Sequence, residues 1–118
     1  MTYRDMIYNA ICNYGIQELA SADIEFEYDY NDYQDARATL DDPCIEDVLM
    51  RILEQGKTWE FIDHNQGEMF PVTLETMTQN LEKFLPKDIR HEYEQEQDDA
   101  VTSYRLLQYA IFAEEIYC

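Results

Sequence analysis

The sequence of 118 residues is poor in residues that build loops, disulfides or membrane spans. Glycine and proline occur three times each, which leaves little material for long linkers. The three cysteines, Cys12, Cys44 and Cys118, form no close pair, so a reducing compartment is favoured. No apolar run approaches about 18 residues, and no basic region followed by an apolar stretch opens the chain. These absences predict a soluble cytoplasmic protein.

Basic residues are also scarce. Eight Lys and Arg stand against 26 Asp and Glu, and the net charge is −18. Affinity for phosphate comes largely from Lys and Arg, so neither direct nucleic-acid binding nor attachment to an anionic membrane is expected. So high a charge keeps a protein soluble but destabilises its compact state by self-repulsion. The acidity therefore either serves a function or is an incidental property of a solvated surface.

What the sequence does contain is enough apolar material for a core. Hydrophobic residues make up 46% of the chain and aromatic residues 14%, unlike the composition of a disordered acidic tail. The length suits one domain spanning residues 1–118.

Two helices and a strand are predicted in the first half. Helical spacing of apolar residues begins after Thr2, a candidate N-cap, and Gly15 either ends this helix or lies within it. Residues 24–30 alternate apolar and acidic side chains, which is typical of a strand with one solvated face. Residues 31–40 are ambiguous, with a short helix as one interpretation. Asp42 as N-cap and Pro43 at the first position then predict a helix that buries Ile45 and ends at Gly56.

The second half predicts a hairpin and two further helices. Residues 57–72 contain two extended segments around a loop at 64–67, where Gly67 can adopt a positive φ. Thr73 starts a helix with an incomplete capping box, and Pro86 interrupts it. Asp98 or Asp99 caps a last helix that can run to the terminus. The predicted fold is α+β, with about four helices around a small antiparallel sheet.

No constellation of an enzyme, metal site or cofactor site is evident. The two histidines, His64 and His91, stand alone, and the loop from Asp29 lacks the Gly and Glu of a calcium-binding loop. Cys44 could lie at a helix N-terminus, but the acids around it oppose a thiolate. We therefore expect no catalytic residue, no metal and no cofactor, and a structural role for Cys44.

Acidic residues are concentrated in one part of the chain. Residues 21–50 carry a net charge of −9, half of the total. Acids that alternate along a strand repeat about every 6.6–6.8 Å, close to the phosphate spacing of one DNA strand. Tyrosines between them supply contact area at low entropic cost, although core packing is the alternative role and is favoured for Tyr28. The predicted partner-binding residues are Asp23, Glu25, Glu27, Asp29, Tyr30, Asp32, Asp35, Asp41, Asp42, Glu46 and Asp47.

The last helix suggests a second surface. Its apolar stripe is expected to pack on Ile7 and Ile11. Further apolar side chains widen the stripe beyond what one neighbour covers: Leu106, Tyr109, Ala110, Ala113 and Tyr117. An exposed remainder would mark a contact surface, most simply that of a symmetric homodimer with Tyr109 and Tyr117 near its interface.

The length, the acidity, the many tyrosines and the opening Met1-Thr2-Tyr3 resemble small phage proteins that mimic DNA, of the anti-restriction and anti-CRISPR type. The segment from Leu106 to Tyr117 is similar to the ending of small phage proteins, which often have Gly in place of Ala113. The resemblance implies an inhibitor that fills the nucleic-acid groove of a basic host protein, a nuclease or Cas complex, in the host cytoplasm. It assigns no functional residue. The alternative is a structural or regulatory phage protein whose acidity is incidental.

Overall fold

The computed structural model describes all 118 residues as seven helices and three strands. The elements in chain order are α1 (Tyr3–Cys12), α2 (Gly15–Ser21), β1 (Ile24–Glu27), α3 (Tyr30–Arg37), α4 (Ile45–Glu54), β2 (Trp59–Asp63), β3 (Glu68–Val72), α5 (Leu74–Phe84), α6 (Lys87–Glu94) and α7 (Ala100–Phe112).

The predicted α+β class is confirmed, but the predicted number of helices was too low. Gly15 begins a helix of its own, because Tyr14 adopts a left-handed conformation between α1 and α2. Residues 30–37 form α3, and the polar stretch after Pro86 forms α6 by burying Ile89 and Tyr93. None of the helices is long and apolar enough to cross a membrane.

The sheet is antiparallel with the order β1-β2-β3, and the predicted hairpin is its second half. Trp59 pairs with Val72 and Asp63 with Glu68, so the loop comprises residues 64–67. Gly67 has a φ of 69°, which glycine adopts without steric cost. β1 pairs with β2 over its whole length, from Ile24 opposite Asp63 to Glu27 opposite Glu60. The strand β1 ends at Glu27, three residues earlier than predicted.

Two helix boundaries and one capping box differ from those predicted. Asp42 has a φ of 46° and cannot cap α4, so Cys44 is the N-cap and Ile45 is 54% exposed. The capping box of α5, predicted to be incomplete, is formed by two threonines. The Thr73 N–H donates to the Thr76 hydroxyl and the Thr76 N–H donates to the Thr73 hydroxyl, so Thr76 acts in place of the usual Glu or Gln. Helix α7 starts after Asp99 and ends at Phe112, where Ala113 turns the chain with a φ of 63°.

Helix α7 forms the centre of the core. It packs against α1, α2, α5 and α6, and Leu106, Leu107 and Ala110 are fully buried. A Cβ atom on Gly15 would lie 2.6 Å from a Leu107 side-chain atom and from the Ala10 carbonyl oxygen, so only glycine allows this close approach. The helices cover one face of the sheet, where Trp59 and Phe61 are buried. The other face of the sheet remains open.

Candidate functional site

The open face of the sheet, here called the outer face, combines charged and apolar side chains. β1 alternates as predicted, with Ile24 buried and Glu25 and Glu27 exposed. The strand register places these acids beside β2 and β3 residues of the same orientation. The outer face carries six side chains in two rows across the strands, Glu27–Glu60–Pro71 and Glu25–Ile62–Met69.

Three carboxyl groups crowd one half of the outer face. The hydrogen bond between the Glu25 and Glu27 side chains raises the pKa of Glu27, and the charge of Glu60 directly opposite adds to the rise. The same hydrogen bond and that with His64 Nε2, at 3.0 Å, lower the pKa of Glu25. Like charges directly opposite one another on a sheet are destabilising. This half of the outer face is therefore held together against its own repulsion.

The acidic segment receives almost no compensation from basic residues. Glu25 forms an ion pair with His64, and none of the other nine acids in residues 21–50 has a basic nitrogen within 4.0 Å. Arg37, the one base of the segment, is exposed and forms no ion pair. Arg4, Arg51 and Arg105 pair with acids elsewhere. The negative potential of the segment is thus left to the solvent.

The other predicted acids are divided between this surface and other parts of the molecule. Asp29 caps α3 by accepting from the Asp32 N–H at 3.0 Å. Asp47 is turned away toward α1, where the Tyr8 hydroxyl donates to it at 2.7 Å and lowers its pKa. Four other predicted acids are exposed, and their side chains form no hydrogen bond or ion pair: Asp23, Asp35, Asp41 and Asp42.

The tyrosines of the segment lie at its surface. Tyr28, for which core packing was expected, is 39% exposed and stacks on Tyr33 with ring centroids 5.3 Å apart. Tyr30 belongs to the first turn of α3 and is 70% exposed. Aromatic contact area is therefore available next to the carboxylates.

Three open clefts surround β1. One of about 430 Å³ is lined by Asp23, Glu25 and His64 together with apolar residues of α2. A second, of about 230 Å³, lies among Glu27, Asp29 and Glu60. The third, of about 200 Å³, is mainly apolar and includes Phe26, Tyr28 and Ile45, with Glu46 at its rim. The four predicted acids of residues 23–29 thus border a cleft: Asp23, Glu25, Glu27 and Asp29.

No arrangement typical of a catalytic or metal centre is found. No group of three or more His, Cys, Asp and Glu side chains is placed to hold a metal ion. Cys44 is exposed at the start of α4, where its N–H donates to Asp47 Oδ2 at 3.3 Å.

Tyr117 is engaged within the molecule. Its hydroxyl donates to Asp63 Oδ2 at 2.6 Å, and Asn65 donates to the other carboxylate oxygen. Burial of Asp63 opposes its ionisation, but these hydrogen bonds outweigh it and the pKa lies below the ordinary value. Tyr109 is half-buried, and Leu106 and Ala110, which were expected to widen an exposed stripe, are buried. The homodimer stays a prediction.

Sequence reasoning missed the β2 and β3 residues of the outer face. Glu60 and Ile62 alternate with buried Trp59, Phe61 and Asp63, and that alternation could have indicated one solvated side. Their position beside Glu25 and Glu27 depends on strand register, which the local sequence does not contain.

No protein-family model matches the chain, and no curated protein or solved structure is found to be similar to it. What the acidic surface does must be inferred from its own residues.

Proposed function

We propose that the protein is a phage or mobile-element inhibitor of a host DNA-binding defence complex, either a CRISPR–Cas effector or a restriction enzyme. It acts in the host cytoplasm by DNA mimicry: its acidic surface occupies the nucleic-acid groove of a basic protein and blocks DNA without turnover. It is not an enzyme and needs no cofactor.

The observation that supports this proposal most directly is the uncompensated charge around β1. Nine of the ten acids in residues 21–50 lack a basic partner, although like charges destabilise the fold. A surface whose charge is unfavourable within its own molecule gains most from a partner that supplies Lys and Arg. Glu25 and Glu27 lie on one face of the same strand, and the hydrogen bond between them brings their carboxyl groups closer together than the strand repeat of about 6.8 Å.

Electrostatic complementarity predicts two properties of the complex: salt-dependent association and competition by DNA. Opposite fields steer diffusing partners together, so association is fast at low salt and slows steeply as salt increases. Duplex DNA competes, because it occupies the same basic groove. A structural phage protein with incidental acidity has neither property.

The test is capture of partners from bacterial lysate on the immobilised protein, followed by elution with short duplex DNA. We expect a basic nuclease or Cas complex that DNA displaces. The test variant carries Glu25→Gln, Glu27→Gln, Asp29→Asn and Asp32→Asn; the cap of α3 is retained because asparagine is as good an N-cap as aspartate. The control variant carries the same charge change on exposed acids elsewhere, at Glu82, Glu94, Glu96 and Glu114.

Only the test variant should lose the partner and the salt dependence of its binding. Recovery of virion proteins that DNA does not displace would favour the structural alternative. Equal loss in both variants would show that net charge, and not this surface, attracts the partner.

A further inference from the structure

The outer face is the one side of the sheet that no element of the fold covers. Phe61 and Trp59 on the opposite side are fully buried beneath the helices, whereas Met69 is 56% exposed. Glu25, Glu27 and Pro71 are exposed and Ile62 is half-buried. Antiparallel sheets commonly keep one face solvated, and such a face normally carries polar side chains. Here half of it is apolar.

The two halves are separated along a diagonal. Glu25, Glu27 and Glu60 lie together on β1 and the near end of β2, while the three apolar side chains occupy the rest of β2 and β3. A partner that covers this surface must bring cations to one side and apolar side chains to the other. A pure polycation would leave the apolar half without a contact.

A second copy of the chain does not meet this requirement. Each copy carries a net charge of −18 and the same three glutamates. Pairing two outer faces across a two-fold axis would add carboxylates to carboxylates or place them against methyl and methylene groups. The occupant indicated by charge complementarity is therefore a different, basic protein.

The dimensions of the outer face match a single helix. Three strands span two spacings of about 4.8 Å, a width of about 10 Å, and five residues of a strand span four rises of about 3.4 Å, a length of about 14 Å. A helix has a diameter of about 10–12 Å and rises about 1.5 Å per residue. About nine residues, or two and a half turns, would cover the face from end to end.

We propose that the outer face is a docking site for one amphipathic helix of the basic partner, with Lys or Arg along one edge and apolar residues along the other. This inference rests on the proposed function in that the partner is a basic protein, and it adds how that protein is held. The affinity for the helix then has two contributions. One depends on salt and comes from Glu25, Glu27 and Glu60, and the other does not depend on salt and comes from Ile62, Met69 and Pro71.

The probe is a synthetic helical peptide of Lys, Leu and Ala with lysines along one side and leucines along the other. A control peptide has the same composition in an order that forms no stripe. Binding is followed by NMR on protein labelled at its methionine methyl groups. Met69 reports on the outer face, and fully buried Met6, Met50 and Met77 report on the core. Met1, which is 54% exposed and lies against Asn9 of α1, reports on contact elsewhere.

We expect the striped peptide to shift Met69 alone and to bind at least tenfold more tightly than the shuffled one. Met69→Gln should weaken binding about tenfold without changing its salt dependence. Glu25→Gln with Glu27→Gln and Glu60→Gln should remove most of the salt dependence, whereas Glu82→Gln with Glu94→Gln and Glu114→Gln should not.

Equal affinity for the two peptides, or binding that leaves Met69 unmoved, would overturn the docking site. If the lysate experiment nevertheless recovers a nuclease or Cas complex that DNA displaces, the proposed function stands and only the mode of contact is wrong. If the striped peptide docks as expected but the lysate yields virion proteins, the docking site stands and the proposed inhibition fails.

Discussion

Gln108 holds the last residues of the chain against α7, and its replacement should release them. The side chain is fully buried. Its Oε1 accepts from the Ile116 and Tyr117 N–H groups at 2.9 and 2.8 Å, and its Nε2 donates to the Tyr117 carbonyl at 3.0 Å. Gln108→Met keeps the shape of the side chain and removes all three hydrogen bonds.

The magnitude follows from these three bonds. Each contributes about 0.5–1.5 kcal/mol net, so the expected loss in the free energy of unfolding is about 3 kcal/mol. With an unfolding entropy of about 2.1 cal/mol/K per residue, or about 0.25 kcal/mol/K for this chain, the melting temperature should fall by about 12 °C.

Two measurements check this prediction together. Denaturant unfolding gives the stability loss, and hydrogen exchange should show faster exchange of the Ile116 and Tyr117 amides. Gln97→Met, at an exposed side chain without a hydrogen bond, serves as the control and should change stability by less than about 0.5 kcal/mol. A loss below about 1 kcal/mol with unchanged exchange at both amides would refute the role assigned to Gln108.

Three other substitutions have expected outcomes. Glu27→Gln should raise the melting temperature at pH 7. The hydrogen bond with Glu25 and the charge of Glu60 raise the pKa of Glu27, so the wild type loses stability as pH rises through that pKa. Melting temperatures measured from pH 4 to pH 8 should differ between variant and wild type at neutral pH and converge in acid. Asp63→Asn should lower stability at pH 7. Although burial opposes ionisation, hydrogen bonds from Tyr117 and Asn65 lower the pKa of Asp63, so its contribution is present above about pH 4 and is lost as pH falls through the folded pKa. A difference in stability that does not shrink as pH falls below about 4 would contradict this. Cys44→Ser should keep helix content and partner binding and raise stability by up to about 1 kcal/mol, because Ser is a favoured N-cap; a tenfold loss of binding in a folded variant would instead indicate a role for the thiol.

Local signals explain what the sequence predicted well. The alternation of Ile24, Glu25, Phe26 and Glu27 depends on neighbours in the chain, and the structure confirms it. The cap of α7 was predicted at Asp98 or Asp99 from the same kind of signal, and Asp99 is the cap. The hairpin was predicted for the same reason. Helix α6 was missed because its apolar content is only Ile89 and Tyr93, which become informative once a core exists to receive them.

The site was only partly predictable because it combines separate segments. Glu25 and Glu27 were identified, but Glu60 and Met69 join them through strand register. Asp47 was assigned to the acidic surface from composition, yet the Tyr8 hydroxyl draws it toward α1. Composition describes how much charge the chain carries, while the tertiary structure decides which charges act together.

The central place of α7 has a consequence for biosynthesis. Residues 1–99 are synthesised before the helix on which α1, α2 and α5 pack has been made. The apolar sides of those helices must wait for it, and contacts between distant parts of a chain form slowly. A nascent chain of this protein therefore has an incomplete core until α7 is made, and a product that stops before Ala100 would expose that surface to chaperones and proteases.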